Sequence, residues 1–370
     1  MSSLSARPIL IMAGGTGGHV FPALALARLL RASSFDVVWL GTRRGLEARV
    51  VPAERIATEW LSVGGLRGKG FATLLAAPFR LAVALVQALR VMWRHRPLVV
   101  VGLGGFVTGP GGVAAWLTGR PLLIHEQNAV AGFTNRCLAH VAREVLEAFP
   151  GSFGRGVHAR AIGNPVRQDI SAIAPPAARF ASRSGAIRIL VIGGSQGATR
   201  LNAVVPFALA RLKQGAPANI PPIDVRHQAG ERWIEAGRQS YANAGVRADV
   251  RPFIEDMAEA YSWADLVICR SGALTVSELA AAGIGAILVP FPAAVDDHQT
   301  QNARYLVSEG AAVLIADRDL TAERLADELQ RLCGGRGKLL AMAERARLLA
   351  KPRAADDLAA SCLEMARRAA

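Results

Sequence analysis

Cysteine is scarce in this sequence and does not cluster. The 370 residues contain only four cysteines, and no CxxC pair or mixed Cys/His group occurs. Structural zinc sites and disulfide scaffolds need cysteines at short, regular spacings. The composition therefore argues against both and is typical of reduced thiols in the cytoplasm. The four are Cys137, Cys269, Cys333 and Cys362.

Long uncharged apolar runs are also missing. A membrane-spanning helix needs about 20 consecutive apolar residues, and the longest candidate, Phe71 to Trp93, is interrupted by Arg80 and Arg90. The N-terminal sequence MSSLSARPILIM leads directly into an apolar strand pattern and does not follow the pattern of a signal peptide. We therefore expect neither a spanning helix nor secretion.

Acidic residues are absent between Glu59 and Glu126, and the whole chain has a formal charge of +14. A balance this basic indicates an anionic partner: a nucleic acid, an acidic membrane or a phosphorylated substrate. Nucleic acid is disfavoured because no RNP, KH, zinc or helix-turn-helix signature occurs, and only 3 Tyr and 6 Trp are available to stack on bases. The acid-free span carries Arg67, Lys69, Arg80, Arg90, Arg94, Arg96 and Arg120.

The acid-free span has two interpretations. Its segment FATLLAAPFRLAVALVQALRVMWRHRP mixes large apolar side chains with arginine, as in segments that bind an anionic membrane surface. A core helix that keeps a few arginine heads in water would have the same composition.

Two internal repeats predict two domains. ILIMAGGTGGHVFPALALARLL, from Ile9 to Leu30, resembles ILVIGGSQGATRLNAVVPFALARL, from Ile189 to Leu212. Within each half, a second strand–glycine loop–helix–strand pattern follows, from Leu98 to Asn128 and from Leu266 to Pro292. Short apolar runs before glycine loops are typical of buried parallel strands. The fold class is thus α/β, with two Rossmann-like doubly wound domains.

The predicted domain boundaries follow from the region between the repeats. Residues 163–185 are rich in Pro, Ala and Ser and have no clear periodicity. We expect a first domain over residues 1–166, a linker over 167–185 and a second domain over 186–347. A closing helix at about 348–370 is expected to return to the first domain.

Glycine loops between a strand and a helix are candidate anion sites, because glycine lets backbone N–H groups approach a phosphate closely. An isolated glycine cluster is often only a tight turn, but this chain has four in two matched pairs. None completes a dinucleotide fingerprint, since Val20 and Val107 stand where its third glycine belongs, and no GxxxxGK[ST] motif occurs. The loops are Gly14–Gly18, Gly102–Gly105 with Gly109–Gly112, Gly193–Gly197 and Ser271–Gly272.

Polar residues at the expected strand ends are the candidates for chemistry. His19 ends the first glycine loop, where an imidazole could act as a general base, although a lone histidine is more often structural. A polar cluster, His125 to Asn128, follows the strand pattern PLLI and could equally be a capped loop. Arg167 could neutralise a diphosphate, and Glu278 could accept ribose hydroxyls, although each could also be a solvated surface charge. Gln299 lies in the polar run DDHQTQN after LVPFP.

No metal site is expected. The close acidic pairs, Asp296–Asp297 and Asp317–Asp319, do not lie beside a glycine loop. We therefore expect that no cofactor is required.

Taken together and in order, the motifs resemble the MurG family over about Ile9 to Ala350. They are GGTGGHVFPALALA, GLGGFVTGPGGVAAW, HEQNAVAGFTN, GNPVR, GGSQGA, CRSGALTVSELAAAG and DDHQTQNA. The resemblance implies the GT-B fold, in which two Rossmann-like domains face a central cleft. Phe106, Thr108 and Gly285 depart from the residues usual in the family.

The resemblance also implies roles for individual residues. His19 and Glu126 would be catalytic, and the loop residues Thr16, Gly17 and Gly18 would face the substrate. Asn128 and Gln299 would contact the donor sugar, Arg167 and Ser195 its diphosphate, and Ile254 the uracil through its backbone. The remaining nucleotide contacts would be Ala273, Leu274, Thr275, Val276, Ser277 and Glu278.

The implied activity is inverting transfer of N-acetylglucosamine from UDP-N-acetylglucosamine to the C4 hydroxyl of the muramyl sugar of lipid I, in peptidoglycan synthesis. Its partners would be these two substrates and an anionic membrane surface, without nucleic acid. The expected location is peripheral, on the cytoplasmic face of the bacterial inner membrane. The alternatives are another GT-B transferase, a sugar-nucleotide epimerase of the same fold, a basic nucleic-acid-binding protein and a non-catalytic membrane scaffold.

Overall fold

The chain divides into two compact units. In the computed structural model the described residues are 7–64, 77–194, 197–215, 221–292 and 297–370. The first unit comprises Met1–Pro165 together with Pro352–Ala370, and the second comprises Val166–Lys351.

The first unit is built on a parallel seven-stranded sheet with the order β3-β2-β1-β4-β5-β6-β7. Its strands are β1 (Ile9–Met12), β2 (Val37–Gly41), β3 (Ala57–Trp60), β4 (Val99–Gly102), β5 (Leu122–Glu126), β6 (Glu144–Glu147) and β7 (Arg160–Ala161). The helices between them are α1 (Gly17–Ala32), α2 (Glu47–Ala53), α3 (Ala77–His95), α4 (Thr108–Leu117) and α5 (Phe133–Leu138).

Strand β1 is apolar throughout because both faces of this sheet are covered. Ile9 and Ile11 pack into a core that includes residues of α1. Leu10 and Met12 point to the other face and pack into a core shared with α3 and α4. The sheet is therefore the middle layer of an α/β/α unit.

The second unit repeats this plan with a parallel six-stranded sheet of order β10-β9-β8-β11-β12-β13. Its strands are β8 (Ile187–Ile192), β9 (Ile223–Gln228), β10 (Asp249–Arg251), β11 (Leu266–Cys269), β12 (Gly285–Leu288) and β13 (Ala312–Leu314). Its helices are α6 (Gln168–Ser171), α7 (Pro176–Ala181), α8 (Thr199–Gly215), α9 (Ile234–Asn243), α10 (Met257–Trp263), α11 (Ala273–Ala282), α12 (His298–Val307), α13 (Ala322–Cys333) and α14 (Arg336–Leu348). Short 3-10 helices cover Glu231–Trp233 and Asp317–Asp319.

The first six strands of each sheet follow the doubly wound order of Rossmann-like domains. The internal repeat in the sequence corresponds to β1–α1 in the first unit and β8–α8 in the second. Both repeats supply the strand at which the chain order reverses. The predicted α/β fold class is confirmed.

Residues 167–185, expected as a linker, belong to the second unit and contain α6 and α7. Phe180 lies in the core of that unit. Arg179 is buried and donates hydrogen bonds to the carbonyl oxygens of Ala282 and Gly283, at 2.7 and 2.6 Å, at the C-terminus of α11. Carbonyl groups at a helix C-terminus need hydrogen-bond donors from elsewhere, and Arg179 supplies them. This long-range contact fixes the segment to the second unit, and composition does not predict it.

The chain ends in α15 (Ala354–Ala369), which packs against α1 in the first unit. Leu358, Cys362 and Met365 lie in the core on that face of the sheet. Ser361 accepts a hydrogen bond from Arg160. Within the part of the chain that the structure describes, no helix is long and apolar enough to cross a membrane.

A buried carboxylate supports the first glycine loop. Glu47, at the start of α2, has no exposed surface. Its carboxylate accepts hydrogen bonds from the N–H of Gly15 at 2.9 Å, the N–H of Thr42 at 3.0 Å and the Thr42 hydroxyl at 2.7 Å. Donors on both sides compensate the cost of burying the charge. The carboxylate thereby ties the loop after β1 to the loop after β2.

We expect Glu47→Gln to lower the free energy of unfolding by about 2–3 kcal/mol, because an amide replaces one of the two acceptor oxygens with an N–H₂ group that faces the donors of Gly15 or Thr42. Urea denaturation of both proteins measures this difference. Glu54→Gln, just beyond the C-terminus of α2, is the matched control. Its exposed ion pair with Arg28 is worth about 1 kcal/mol or less. Equal losses in the two variants would contradict the role given to Glu47.

Candidate functional site

In the first unit, the candidate residues gather at the carboxyl ends of β1, β4 and β5. These strands are neighbours in a parallel sheet, so the loops that follow them meet at one edge. His19 follows β1, Gly104 follows β4 and Gln127 follows β5. Ligands bind at this edge in doubly wound sheets.

The two glycine loops at this edge approach each other closely. A Cβ atom on Gly105 would lie 2.5 Å from the carbonyl oxygen of Gly14, and Gly105 has a φ of +86°. Only glycine fits both the space and the conformation. Thr16 is exposed and precedes α1, which begins with Gly17 and Gly18. The predicted loop therefore presents the N-terminus of a 16-residue helix, where N–H groups favour anions.

His19 is half-buried and is held from two sides. Its Nδ1 lies 3.1 Å from Oε1 of Gln127. A Cβ atom on Gly104 would lie 2.5 Å from the same Nδ1, so the absence of a side chain at Gly104 leaves room for the imidazole. The structure thus brings together residues that lie 85 to 108 positions apart in the sequence.

Glu126 has a geometry that disfavours the predicted catalytic role. The residue is only 3% exposed. It accepts hydrogen bonds from the N–H groups of Asn128 and Gly132, at 2.9 and 3.2 Å, and from the side-chain amides of Asn128 and Asn135, at 3.1 and 2.8 Å. Four donors occupy both oxygens. Glu126 therefore orders the loop after β5 and positions half-buried Asn128 within it.

In the second unit, the matching glycine loop follows β8. Gly194 and Gly197 have φ values of +78° and +74°, and a Cβ atom on Gly197 would lie 2.4 Å from the carbonyl oxygen of Ala229. The side-chain amide of Gln228 donates to the carbonyl oxygen of Gly194 at 3.1 Å. The loop leads into α8. The predicted Ser195 lies outside the described residues.

Glu278 and Arg167 come together in the second unit, where α6 packs against α11. Glu278 is half-buried and accepts a hydrogen bond from the hydroxyl of Tyr261 at 3.0 Å. Burial raises the pKa of Glu278 to about 7, although the Tyr261 hydrogen bond and the charge of Arg167 oppose the rise. Arg167 lies near the carboxylate and 3.6 Å from Asp169. The carboxylate can accept hydrogen bonds from hydroxyls, and the neighbouring guanidinium can bind an anion.

The other predicted nucleotide residues have different exposures. Val276 is fully buried and Ala273 is 9% exposed. Leu274, Thr275 and Ser277 are half-buried, and the Ser277 hydroxyl donates to the carbonyl oxygen of Ala273 at 3.0 Å. The side chain of Val276 is thus part of the core, whereas its neighbours lie nearer the surface.

Ile254 and Gln299 lie in segments beyond two other strands. Ile254, between β10 and α10, is 6% exposed. Gln299, on α12, accepts a hydrogen bond from the N–H of Phe291 at 2.9 Å. That bond occupies its side-chain carbonyl oxygen, so the amide N–H₂ group is its available donor.

A buried network of hydrogen-bonded polar side chains beneath the glycine loop after β8 was not predicted from the sequence. His227 lies 2.9 Å from the hydroxyl of Tyr241 and 3.0 Å from Oδ1 of Asn202, and the Asn202 amide donates to the carbonyl oxygen of Ala229. Burial lowers the pKa of His227 to about 3 and keeps it neutral. The one sequence signal was a polar pair, His227–Gln228, at the end of an otherwise ordinary strand.

Within the described ranges, no group of three or more His, Cys, Asp or Glu side chains is arranged to hold a metal ion. The acidic residues considered earlier have other partners: Asp317 pairs with Arg270 at 2.5 Å, and Asp297 accepts from Thr300 at 2.6 Å. Asp296 lies outside the described residues.

Comparison with known proteins shows similarity along nearly the whole chain. The glycosyltransferase family 28 N-terminal domain matches residues 9–147, and the family 28 C-terminal domain matches residues 188–358. A protein of Alkalilimnicola ehrlichii is 58% identical over 97% of this chain and 99% of its own length. One of Nitrosococcus oceani is 55% identical over 97% and 98%. Both are named UDP-N-acetylglucosamine–N-acetylmuramyl-(pentapeptide) pyrophosphoryl-undecaprenol N-acetylglucosamine transferase.

Among solved structures, the crystal structure of Acinetobacter baumannii MurG matches with a TM-score of 0.85 and 41% identity. The match covers 97% of this chain and 99% of that one. Both Rossmann-like units are included, which supports the GT-B fold. With matches to both domains and relatives above 50% identity over almost the full length, the chain belongs to the MurG family of glycosyltransferases.

Proposed function

We propose that the protein transfers N-acetylglucosamine from UDP-N-acetylglucosamine to the C4 hydroxyl of the muramyl sugar of lipid I, with inversion at the anomeric carbon. The observation that carries this proposal is the near full-length similarity to transferases whose names state these substrates. The first unit supplies a candidate base, His19, at the edge of its sheet where the glycine loops lie. The second unit supplies a carboxylate–arginine pair, Glu278 and Arg167, beside the equivalent edge of its own sheet. This division suits a reaction with two substrates.

The donor residues are assigned on the chemistry of the second unit. Glu278 accepts the ribose hydroxyls, the Ile254 backbone and residues 273–277 line the nucleotide, and Arg167 and Ser195 hold the diphosphate. Gln299, with its amide donor, and Asn128 contact the sugar. The N–H groups of the loop before α8 and the Arg167 guanidinium stabilise the charge that develops on UDP.

The reaction is a single displacement. As the acceptor oxygen bonds to the anomeric carbon, the bond between that carbon and the β-phosphate oxygen breaks, and its electron pair leaves with UDP. His19 takes the proton of the acceptor hydroxyl. We propose that no metal cofactor is required, because fixed donors and Arg167 supply the positive charge at the leaving group.

UDP release from UDP-N-acetylglucosamine, measured with and without a lipid I analogue, tests the function. We expect release only when the analogue is present, and at an unchanged rate in EDTA. Loss of activity in EDTA would contradict metal independence. Turnover without the acceptor would indicate an epimerase or a hydrolase instead, and no binding of the sugar nucleotide would overturn the donor assignment.

We expect the affinity for UDP-N-acetylglucosamine to rise about ninefold between pH 6 and pH 8, because a group with a pKa of about 7 goes from about one-tenth to nine-tenths ionised. The ionised carboxylate accepts both ribose hydroxyls, whereas the protonated acid also carries a competing donor. The diphosphate is esterified at both ends and does not titrate in this range. Equilibrium binding across this pH range measures the effect.

Glu278→Gln is the matching variant for the same titration. Its affinity should be lower at pH 8 and should not change with pH, since an amide does not titrate. Glu235→Gln, at an exposed position of α9, should keep the wild-type pH dependence. A wild-type affinity that does not change from pH 6 to pH 8 would remove Glu278 from the ribose site.

We further propose that the first unit binds an anionic membrane surface in a peripheral manner. One face of α3 exposes Phe79 (75%) and Trp93 (63%), separated by Val86 and Arg90 at helical spacing. Arg80 and Arg94 flank this face and are exposed. Large apolar side chains among arginines suit the boundary between lipid headgroups and acyl chains. Arg67 and Lys69 lie outside the described residues.

Vesicle sedimentation measures this property. Binding to phosphatidylglycerol vesicles should exceed binding to phosphatidylcholine vesicles and should weaken at high salt. Phe79→Ala should weaken it about tenfold or more, since burying a Phe side chain is worth about 1.5–3 kcal/mol. The control is Phe207→Ala, on α8 of the second unit and 44% exposed. Equal losses for the two variants, or failure to bind at any salt concentration, would contradict the proposal.

A further inference from the structure

Four groups in the first unit form a continuous hydrogen-bonded chain that ends at His19. Nε2 of His125 lies 2.9 Å from the carbonyl oxygen of Gly163. Nδ1 of His125 lies 3.3 Å from Nε2 of Gln127, and Oε1 of Gln127 lies 3.1 Å from Nδ1 of His19. The chain thus runs from a backbone carbonyl to the imidazole at the glycine loop.

The direction of the chain is set at its buried end. The Gly163 carbonyl oxygen can only accept, so Nε2 of His125 must carry a proton and donate it. His125 has no exposed surface, and burial lowers its pKa to about 4, which keeps the ring neutral near pH 7. A neutral imidazole has one N–H group. Nδ1 of His125 therefore carries no proton and can only accept.

This acceptor orients the amide of Gln127. An amide has a donor end and an acceptor end, and only its N–H₂ group can bond to an unprotonated Nδ1. Gln127 is 2% exposed, and its backbone carbonyl accepts from the side-chain amide of Asn164 at 3.0 Å. With the N–H₂ group facing His125, the carbonyl oxygen of the Gln127 side chain faces His19.

We infer that His125 and Gln127 are positioning residues that keep the proton of neutral His19 on Nδ1 and leave the lone pair on Nε2 as the base. This inference rests on the proposed function in one respect only, the use of that base in the transfer. The hydrogen bond at one ring nitrogen decides the state of the other. Without it, the histidine side chain favours the opposite tautomer, with the proton on Nε2 and no basic lone pair there.

The surroundings of His19 agree with this assignment. The ring lies against Gly104, whose missing side chain leaves room beside Nδ1. Nε2 of His19 has no hydrogen-bond partner within the described residues, and the side chain is half-exposed at the sheet edge. Nε2 is therefore the ring nitrogen available to a bound hydroxyl.

The proton transfer follows from this geometry. Nε2 of His19 takes the hydroxyl proton of the acceptor as the new carbon–oxygen bond forms, and the ring becomes an imidazolium that donates from Nδ1 to Gln127. The Gln127 oxygen accepts in both states and need not reorient. The imidazolium later releases the Nε2 proton to water.

Imidazole ¹⁵N NMR of histidine-labelled protein reads the tautomer directly. In the wild type we expect a pyrrole-type shift at Nδ1 and a pyridine-type shift at Nε2 of His19, assigned by the signals missing in His19→Ala. In Gln127→Met, which has no amide, we expect the pattern to change toward the opposite tautomer. A pyridine-type Nδ1 in the wild type would overturn the inference, whether or not the protein is a transferase.

Kinetics with a soluble lipid I analogue provide the second measurement. Gln127→Met should lower kcat about ten- to hundredfold, as expected when a general base is mostly in the wrong protonation form, with less than a twofold change in KM for UDP-N-acetylglucosamine. Gln239→Met, at an exposed position of α9 in the second unit, should change neither value. Raised KM with unchanged kcat in Gln127→Met would make Gln127 a binding residue instead.

Gln127→Glu separates positioning from a general loss of structure. A carboxylate still accepts the Nδ1 proton of His19 but cannot donate to His125. The His19 tautomer and most of kcat should therefore be kept, although the link to His125 is lost. Equal damage in Gln127→Glu and Gln127→Met, at matched melting temperatures, would contradict the inference. No transfer in any form with the expected tautomer present would instead refute the proposed function.

Discussion

The parallel pairing of β1 with β4 is the constraint on which the first unit's candidate site depends. Ile9 to Met12 pair in register with Val99 to Gly102, so both strands end at the same level and release their glycine loops side by side. Gly105 can then lie against Gly14, and Gly104 against His19. The second unit repeats the arrangement with β8 and β11, which pair from Ile189–Leu266 to Ile192–Cys269. One topological feature thus builds both candidate sites.

Buried polar side chains, more than charges at the surface, stabilise the loops at the carboxyl edges of the two sheets. Glu47 ties the first glycine loop to the loop after β2, and Glu126 orders the loop after β5. In the second unit, Asn202 and His227 play the corresponding part beneath the loop that leads into α8. Each is compensated by hydrogen bonds, without which burial would cost several kcal/mol. The result is a rigid edge on which half-buried groups such as His19 and Glu278 can be placed accurately.

Several features were readable from sequence because local chemistry dictates them. Apolar runs, glycine loops and the repeat of one pattern in both halves predicted two Rossmann-like units, and polar residues after strands marked the candidate sites. The sequence did not distinguish the roles of neighbouring residues within the polar cluster His125 to Asn128. Glu126 and Gln127 are consecutive and both polar, but one is held by loop donors and the other bridges two histidines. Which of them faces His19 depends on residues far away in the chain.

The sequence by itself determined the class of fold, the position of each glycine loop and the family, because periodicity, glycine content and ordered motifs are properties of short segments. Only the tertiary structure decided that residues 167–185 belong to the second unit, that Glu126 is enclosed by donors, and that burial raises the pKa of Glu278. These properties depend on solvent exclusion and on hydrogen bonds between distant segments. Solvent exclusion and these hydrogen bonds arise only when each sheet brings loops from distant parts of the chain to one edge. No single stretch of sequence encodes them.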